Sequence, residues 1–382
     1  MFNDTWLERT SIVDSFCVAQ FQFRAIVAQM RRTFVLALLA IGGLVGVEVV
    51  SSYVLFRYEA HHHKSLDARG SAALMLAGRT ISKVTGKYPT PVLWIDHGPL
   101  FEASEAYGFA VRPGRYRIKE RLGEKTHVFG ITITDERTRA TSYFPRRSDK
   151  RIFMAGDSSM FGWGLNDEQT IPWLIQERLP NFDVVNLSLS SYSPVHALLQ
   201  LQQVSPRLGP DDIVVVDYHD VTNQFAVMSA DVLKDLRKGF EFELGDAARM
   251  REAKMPYGSL EEGKLIVRHV SLSCVFEPVR PDCPGPKFDL GQATPVTKRA
   301  FDEILALHPG HLVIIFQFGA DGDPVIEYLR SRGAVIVDLR KGRAPGEEGD
   351  DVIATDTHMG PFGQYQMAER LFDAMVRDHI VD

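Results

Sequence analysis

Cysteine is scarce in this chain, with three among 382 residues, at positions 17, 274 and 283. So few cysteines exclude a small disulfide-stapled scaffold and a zinc site built from four thiolates. The sequence also lacks tandem repeats and long low-complexity runs, which excludes solenoid and fibrous architectures. Basic residues are in the minority, with 43 Lys and Arg against 49 Asp and Glu. Nucleic acid is therefore not an expected partner, because duplex binding depends on clustered cationic side chains.

The rest of the composition, 45% hydrophobic and 24% charged, is typical of a folded globular chain. We divide it into four parts. Residues 1–30 form an N-terminal cytoplasmic tail, 31–58 a transmembrane signal anchor, 59–148 a small mixed region and 149–382 an α/β domain. The mixed region contains strand-like runs such as HVFGITIT (127–134) but no chemical motif. We expect it to pack on the α/β domain or to space that domain from the membrane.

The transmembrane prediction depends on one apolar run. Residues 33–47 carry no charge, and as a helix they would span about 22 Å. Continuing to residue 56 brings the length to about 36 Å, which exceeds the hydrocarbon core of about 30 Å. Glu48 is the one charged residue in this extended run. The alternative is a buried core helix, although soluble helices are seldom apolar on every face for this length.

The flanking charges predict the orientation of this anchor. Arg31 and Arg32 precede the run, so the positive-inside rule places its N-terminal side in the cytoplasm. We predict a single pass through the inner membrane, with residues 33–56 in the lipid bilayer and the α/β domain periplasmic or extracellular. Met30 looks like the true start of the anchor, which would make residues 1–29 an upstream extension. In an oxidising compartment Cys274 and Cys283 become a candidate disulfide, with two unpaired thiols as the alternative.

Five apolar runs predict the sheet of the α/β domain. They are RIFMA (151–155), FDVVNLS (182–188), DIVVVDYH (212–219), HLVIIFQF (311–318) and AVIVDL (334–339). Continuous apolar runs are typical of parallel strands that are covered on both faces, and helical patterns lie between them. We therefore predict a doubly wound, five-stranded parallel sheet in a three-layer sandwich. In such sheets ligands bind beyond the carboxyl ends of the strands.

Three polar motifs follow predicted strands or precede the last helix. GDSSMFGWG (156–164) comes directly after the first strand and places Ser158 at the corner between strand and helix; the alternatives are a phosphate-binding turn or an N-cap serine. In DTH (356–358), Asp356 can hold the imidazole of His358 as a base. The alternative is a surface histidine behind a capping aspartate. DYHDVTNQ (217–224) adds His219 and Asn223 at the end of the third strand.

Together these motifs resemble the SGNH (GDSL) hydrolase family, in a membrane-anchored bacterial form. The resemblance covers residues 151 to 382. FMAGDSSMFGWGLNDEQTIPWL looks like the nucleophile block, NLSLSSYSP (186–194) is similar to the second block, and DTHMGPFGQYQMAERL is similar to the closing block. The resemblance implies that Ser158 is the nucleophile, His358 the general base and Asp356 the residue that orients it.

The resemblance also implies an oxyanion hole, with two departures from the family pattern. The donors would be the backbone N–H of Ser158, the backbone N–H of Ser191 and a side chain, either Asn223 or His219. Ser191 stands where the family has glycine, so its N–H can donate only if a non-glycine residue tolerates the backbone angles there. His219 and Asp220 stand where Asn and Asp are expected.

We therefore expect a serine esterase that removes acyl groups, acetyl above all, from a surface or exported saccharide. One alternative is a polysaccharide O-acetyltransferase that uses the same residues. Another is a catalytically inactive SGNH-like subunit for binding or assembly. No motif implies a metal or an organic cofactor, and nothing in the sequence indicates a protein partner.

Overall fold

The computed structural model of the chain describes residues 92–96, 98–122, 125–144, 148–227, 253–271, 290–307, 311–316, 321–339, 353 and 358–381. All of them belong to one unit of the chain, Ala68–Asp382. The predicted anchor (31–58), the cysteine pair Cys274 and Cys283, and Asp356 lie outside the described residues. Within the described ranges, no helix has the length and apolar character needed to cross a bilayer.

Strands dominate the first part of the described chain, and strands and helices alternate in the second. The strands are β1 (Val92–Asp96), β2 (Phe101–Ser104), β3 (Gly108–Val111), β4 (Gly114–Leu122), β5 (Lys125–Ile133), β6 (Arg151–Ala155), β7 (Asp183–Asn186), β8 (Ile213–Tyr218), β9 (Lys254–Glu261), β10 (Lys264–Ser271), β11 (His311–Phe316) and β12 (Val335–Asp338). The helices are α1 (Ser158–Phe161), α2 (Ile171–Arg178), α3 (Pro194–Val204), α4 (Asp220–Ala226), α5 (Ala293–Leu307), α6 (Pro324–Ser331) and α7 (Pro361–Arg377). Short 3₁₀ turns cover Asp167–Gln169, Ser205–Arg207 and Leu290–Gln292.

The parallel sheet has the strand order β12-β11-β8-β6-β7, and all of its pairings are parallel. Each of the five predicted runs contains one of these strands, which confirms the predicted α/β sheet. In order of sequence within the sheet, β6 is the first strand and β8 the third, and they are neighbours. The order therefore reverses between β6 and β8, and a ligand crevice is expected beyond the carboxyl ends of these two strands.

Helices cover both faces of this sheet because its strands are apolar on both sides. Ile152 and Met154 of β6 pack into a core with residues of α2 and α7. Phe153 and Ala155 point to the other face and pack into a core with residues of α3, α5 and α6. All six residues of β8, the middle strand, are buried. The result is the predicted three-layer arrangement.

The antiparallel strands lie outside this sandwich. β1, β4 and β5 form one sheet in the order β1-β4-β5, while β2 and β3 form a hairpin. Along β5, Phe129, Ile131 and Ile133 are buried in alternation with more exposed neighbours, as in a strand covered on one face. These residues share a core with Phe161 and Trp163, which belong to the first motif. β9 and β10 form a second hairpin.

Candidate active site

The turn after β6 places a serine at the start of a helix. Ser158 is the first residue of α1, and the carboxylate of Asp157 caps this helix by accepting the N–H of Ser159 at 2.9 Å. The turn is tight because a Cβ at Gly156 would lie 2.6 Å from the Cβ of Asp217. Only glycine allows the backbone to pass this close to β8.

His358, close to the C-terminal helix α7 in sequence, contacts Ser158. The Nε2 atom of His358 lies 2.7 Å from the Oγ atom of Ser158, although 200 positions separate the two residues. Gln364 of α7 holds the two segments together, since its amide nitrogen donates to the Ser159 carbonyl at 3.1 Å and its oxygen accepts the Ile171 N–H at 3.1 Å. Ser158 and His358 are both half-buried, so a substrate can reach them.

A second imidazole–carboxylate pair lies beside the serine. The Nε2 atom of His219 is 2.5 Å from a carboxylate oxygen of Asp157, and both residues are buried. Burial raises the pKa of Asp157, but His219, the Ser159 N–H and His358 together outweigh burial and hold the pKa below its ordinary value. Asp157 is therefore ionised at neutral pH. The sequence did not predict this pair, because it requires the ends of β6 and β8 to meet.

The two predicted side-chain donors are thus already engaged. The His219 ring contacts the Asp157 carboxylate through its Nε2 atom. The amide nitrogen of Asn223 donates to the Tyr218 hydroxyl at 2.9 Å, and that hydroxyl lies 3.3 Å from both carboxylate oxygens of Asp323. No described hydrogen bond joins Asn223 to Ser158 or His358. The choice between His219 and Asn223 as oxyanion donor stays a prediction.

Ser191 adopts a left-handed backbone conformation. Its φ angle is +65°, in the left-handed region where residues other than glycine are uncommon. Serine thus occupies a left-handed position, a conformation that glycine adopts without steric cost. The segment is tied to the turn before Ser158, because the Leu189 N–H donates to the Gly156 carbonyl at 3.2 Å. The direction of the Ser191 N–H toward an oxyanion remains a prediction.

A buried arginine holds the segment that follows Ser158. Arg139 is 1% exposed. Its guanidinium donates to the carbonyls of Phe161 (2.8 Å), Gly162 (2.6 Å) and Leu165 (2.6 Å), and to the carboxylate of Asp167 (2.9 Å). Burial lowers the pKa of Arg139, while the charge of Asp167 opposes that shift. No motif marks Arg139, so the sequence did not identify it.

Further contacts from the antiparallel strands reach the same segment. The Trp163 indole nitrogen donates to a Glu120 carboxylate oxygen at 2.8 Å, and both side chains are buried. The Nε2 atom of His127 contacts the Gly164 carbonyl. The region in which the sequence shows no chemical motif therefore positions the loop that follows α1. In the described part of the chain, no group of three His, Cys, Asp or Glu side chains has the geometry of a metal site.

Comparisons with known proteins show a likeness in fold. No protein-family model and no curated protein sequence matches the chain. The solved structure of TesA is 15% identical over 60% of this chain and 99% of its own, with a TM-score of 0.36. A lipolytic protein of the G-D-S-L family from Veillonella parvula is 12% identical over 60% and 99%, with a TM-score of 0.35. Esterase EstA from Pseudoalteromonas sp. is 12% identical over 60% and 98%, with a TM-score of 0.34. One of these neighbours is thus described as a lipolytic G-D-S-L protein and another as an esterase.

Proposed function

We propose that this protein is an ester hydrolase with Ser158 as its nucleophile. The observation that carries the proposal is the distance of 2.7 Å between the Ser158 hydroxyl and the His358 Nε2 atom. Serine is a weak nucleophile until a neighbouring base takes its proton, and an imidazole at this distance is such a base. The position of the pair beyond the carboxyl end of β6, next to the reversal of strand order, supports the same reading.

The reaction proceeds through an acyl-enzyme. The Ser158 Oγ atom attacks the ester carbonyl carbon while His358 accepts the hydroxyl proton at Nε2. The resulting tetrahedral intermediate collapses, the bond from carbon to the alcohol oxygen breaks, and the imidazolium returns its proton to the departing alkoxide. The neutral His358 then accepts a proton from a water molecule as the water oxygen attacks the acyl carbon. The bond from that carbon to the Ser158 Oγ atom breaks, and His358 returns the proton to Oγ as the acid departs. Asp356 orients His358 in this proposal, on the strength of the sequence motif alone.

The developing negative charge needs donors and must tolerate a nearby carboxylate. We assign the backbone N–H groups of Ser158 and Ser191 to the oxyanion, and preorganised donors of this kind are worth about 3–4 kcal/mol each. An unpaired Asp157 carboxylate beside Ser158 would oppose that negative charge. The His219 Nε2 atom lies 2.5 Å from that carboxylate, and a hydrogen bond from the imidazole would offset part of its charge. This pairing accounts for a histidine in a position where the family pattern has asparagine.

We further propose that the acyl group is acetyl and that its carrier is a surface or exported saccharide. The support is the predicted anchor at 31–58, which would place the α/β domain outside the cytoplasm. The test compares acetate release from acetylated xylan and acetylated oligosaccharides with the hydrolysis of p-nitrophenyl octanoate. We expect faster turnover of the acetylated saccharides. A preference for the octanoate ester would contradict this substrate assignment while leaving the serine chemistry intact.

Covalent labelling tests the serine chemistry directly. A fluorophosphonate probe should label the full-length wild-type protein, and peptide mass mapping should place the adduct on Ser158. Ser158→Ala should abolish labelling. Ser159→Ala is the matched control, since it removes the neighbouring hydroxyl but keeps the backbone N–H that Asp157 accepts. Wild-type protein that is folded by circular dichroism yet unlabelled would refute the enzyme and favour the inactive binding subunit.

A further inference from the structure

A cleft is lined by Leu187, Ser188, Leu189 and Tyr192, in the segment that carries Ser191. We propose that this cleft binds a neutral saccharide. The inference deepens the proposed function by giving a saccharide a place to bind, and it rests on that function only for the link to ester chemistry. The cleft has a volume of about 790 Å³ and lies between the β2–β3 hairpin and α3. This volume is in the range of small-molecule sites. We refer to it as the hairpin cleft.

The side-chain oxygen of one buried glutamine in the cleft accepts no hydrogen bond from the described residues. Gln200 lines the cleft and is 9% exposed. Its nitrogen donates to the Leu187 carbonyl, while its Oε1 atom is buried without a hydrogen-bond partner among the described residues. A buried acceptor left in this state is costly, so a donor from outside the protein would be bound there. A saccharide hydroxyl is such a donor.

A second amide and a phenol extend this polar line. Gln203 lies one turn after Gln200 on α3 and also lines the cleft. Its oxygen accepts a hydrogen bond from the Tyr107 hydroxyl on the opposite wall. Burial raises the pKa of Tyr107 to about 12, so its hydroxyl keeps its proton at neutral pH. Amides and hydroxyls that both donate and accept match the hydroxyl groups of a sugar.

The charges around the cleft disfavour an anionic ligand. Three carboxylates and two guanidinium groups line it: Glu102, Glu105, Glu136, Arg137 and Arg207. Glu102 is in ion pairs with Arg137 and Arg112, so the lining charges that remain are Glu105 and Glu136 against Arg207. Burial, followed by the charge of Lys254, lowers the pKa of His269, which leaves this lining residue neutral at pH 7. A phosphate or a uronate would therefore meet more negative than positive charge.

The apolar part of the cleft suits the C–H face of a sugar better than a long acyl chain. Leu187, Leu199 and the half-buried Tyr107 lie along the wall, and the Tyr107 ring centroid is 6.2 Å from that of Tyr192. Aromatic rings provide a flat apolar surface with a polar edge. Because the amides and ion pairs described above interrupt this surface, an alkyl chain would leave their polar atoms unsatisfied. The surface therefore favours a neutral saccharide over a lipid.

The cleft and the serine share one stretch of backbone. Ser188, Leu189 and Tyr192 line the cleft, Ser191 lies between them, and the Leu189 N–H donates to the Gly156 carbonyl beside Ser158. A ligand in the cleft thus contacts the turn that carries the proposed oxyanion donor. We infer that the cleft holds a distal part of a saccharide chain whose ester lies at Ser158.

Binding to the full-length Ser158→Ala protein tests the cleft apart from catalysis. The probes are chitotetraose, cellotetraose and mannotetraose, with trigalacturonate as the anionic comparison and octanoate as the lipid comparison, all measured by titration calorimetry. We expect at least one neutral tetrasaccharide to bind. Gln200→Met and Gln203→Leu, each added to this protein, should weaken binding about tenfold, because each removes hydrogen-bonding atoms from the cleft. Gln202→Leu is the matched control, since Gln202 is exposed on the same helix and does not line the cleft.

The possible outcomes separate this proposal from the proposed function. Gln203 is exposed, so Gln203→Leu should fold even where Gln200→Met does not, and thermal unfolding checks both variants. Three outcomes would each overturn the proposal that the hairpin cleft binds a neutral saccharide. They are failure of every neutral saccharide to bind, stronger binding of trigalacturonate or octanoate, and an equal loss of binding in Gln202→Leu. Saccharide binding by a protein that the fluorophosphonate probe does not label would refute the proposed esterase and support saccharide binding in the cleft. Labelling without saccharide binding would support the esterase and refute saccharide binding in the cleft.

Discussion

The antiparallel strands and the parallel sheet contribute to the site in different ways. The parallel sheet carries Ser158 and His358, whose reactive atoms lie 2.7 Å apart. The antiparallel region carries no motif, yet Glu120 and His127 contact the loop that follows α1, and Arg139, which follows β5, binds the same loop. The difference shows that reactive groups and the groups that position them follow separate rules. Reactive groups gather where parallel strands end, whereas positioning groups come from any segment that packs nearby.

The largest effect is expected from the imidazole of the parallel sheet. His358→Gln should lower the hydrolysis rate of p-nitrophenyl acetate by about 10⁴-fold or more, because it removes the proposed base. His127→Gln is the matched control from the antiparallel region and should change the rate only a few-fold. Steady-state kinetics on both proteins measures the contrast. A similar loss in both variants would mean that the division between the two regions is wrong.

The next effect concerns stability and the antiparallel region. Arg139→Met should lower the free energy of unfolding by about 3–5 kcal/mol, since it leaves Asp167 and several buried carbonyls without their partner. Arg137→Met, two positions earlier and 53% exposed at its side chain, should cost about 1 kcal/mol or less. Urea denaturation of both variants provides the comparison. An Arg139→Met protein as stable as wild type would show that the arginine does not hold the loop.

A pH-dependent effect is expected at the carboxylate beside Ser158. The pKa of Asp157 is lowered in the folded protein, so its charge stabilises the fold above the ordinary carboxyl pKa, and that contribution is lost as the pH falls through the folded value. Asp157→Asn should therefore destabilise the protein by about 1–3 kcal/mol at pH 7 and by less at pH 3. Urea denaturation at the two pH values measures the difference. A destabilisation by Asp157→Asn that is larger at pH 3 than at pH 7 would contradict the lowered pKa of Asp157.

The smallest effect is expected at the turn that carries the proposed oxyanion donor. Ser191→Gly should keep the fold and change stability by about 1 kcal/mol at most, because glycine adopts the left-handed conformation without steric cost. Ser191→Val should be less stable than Ser191→Gly, since a β-branched side chain is strained at a φ of +65°. Thermal unfolding of the pair measures this. Equal stability would show that the turn relaxes around either residue.

The sequence predicted the elements of the parallel sheet because each depends on neighbours along the chain. The run at 151–155 coincides with β6, and the run at 212–219 extends beyond β8 by one residue at each end. Ser158 and His358 were predicted from short motifs at strand and helix ends. The pairing of Asp157 with His219, the role of Arg139 and the hairpin cleft were not predicted. Each joins segments that are distant in sequence and share no local pattern.

By itself, the sequence determined the strand and helix types, the parallel sheet and the two segments that carry the serine and histidine, because periodicity and motif are local properties. Tertiary structure alone decided which carboxylate lies beside Ser158, which arginine holds the loop after α1 and which amide lines the hairpin cleft. The reason is physical: hydrogen bonds and ion pairs depend on side-chain positions within a few tenths of an ångström, and only the folded chain defines those positions.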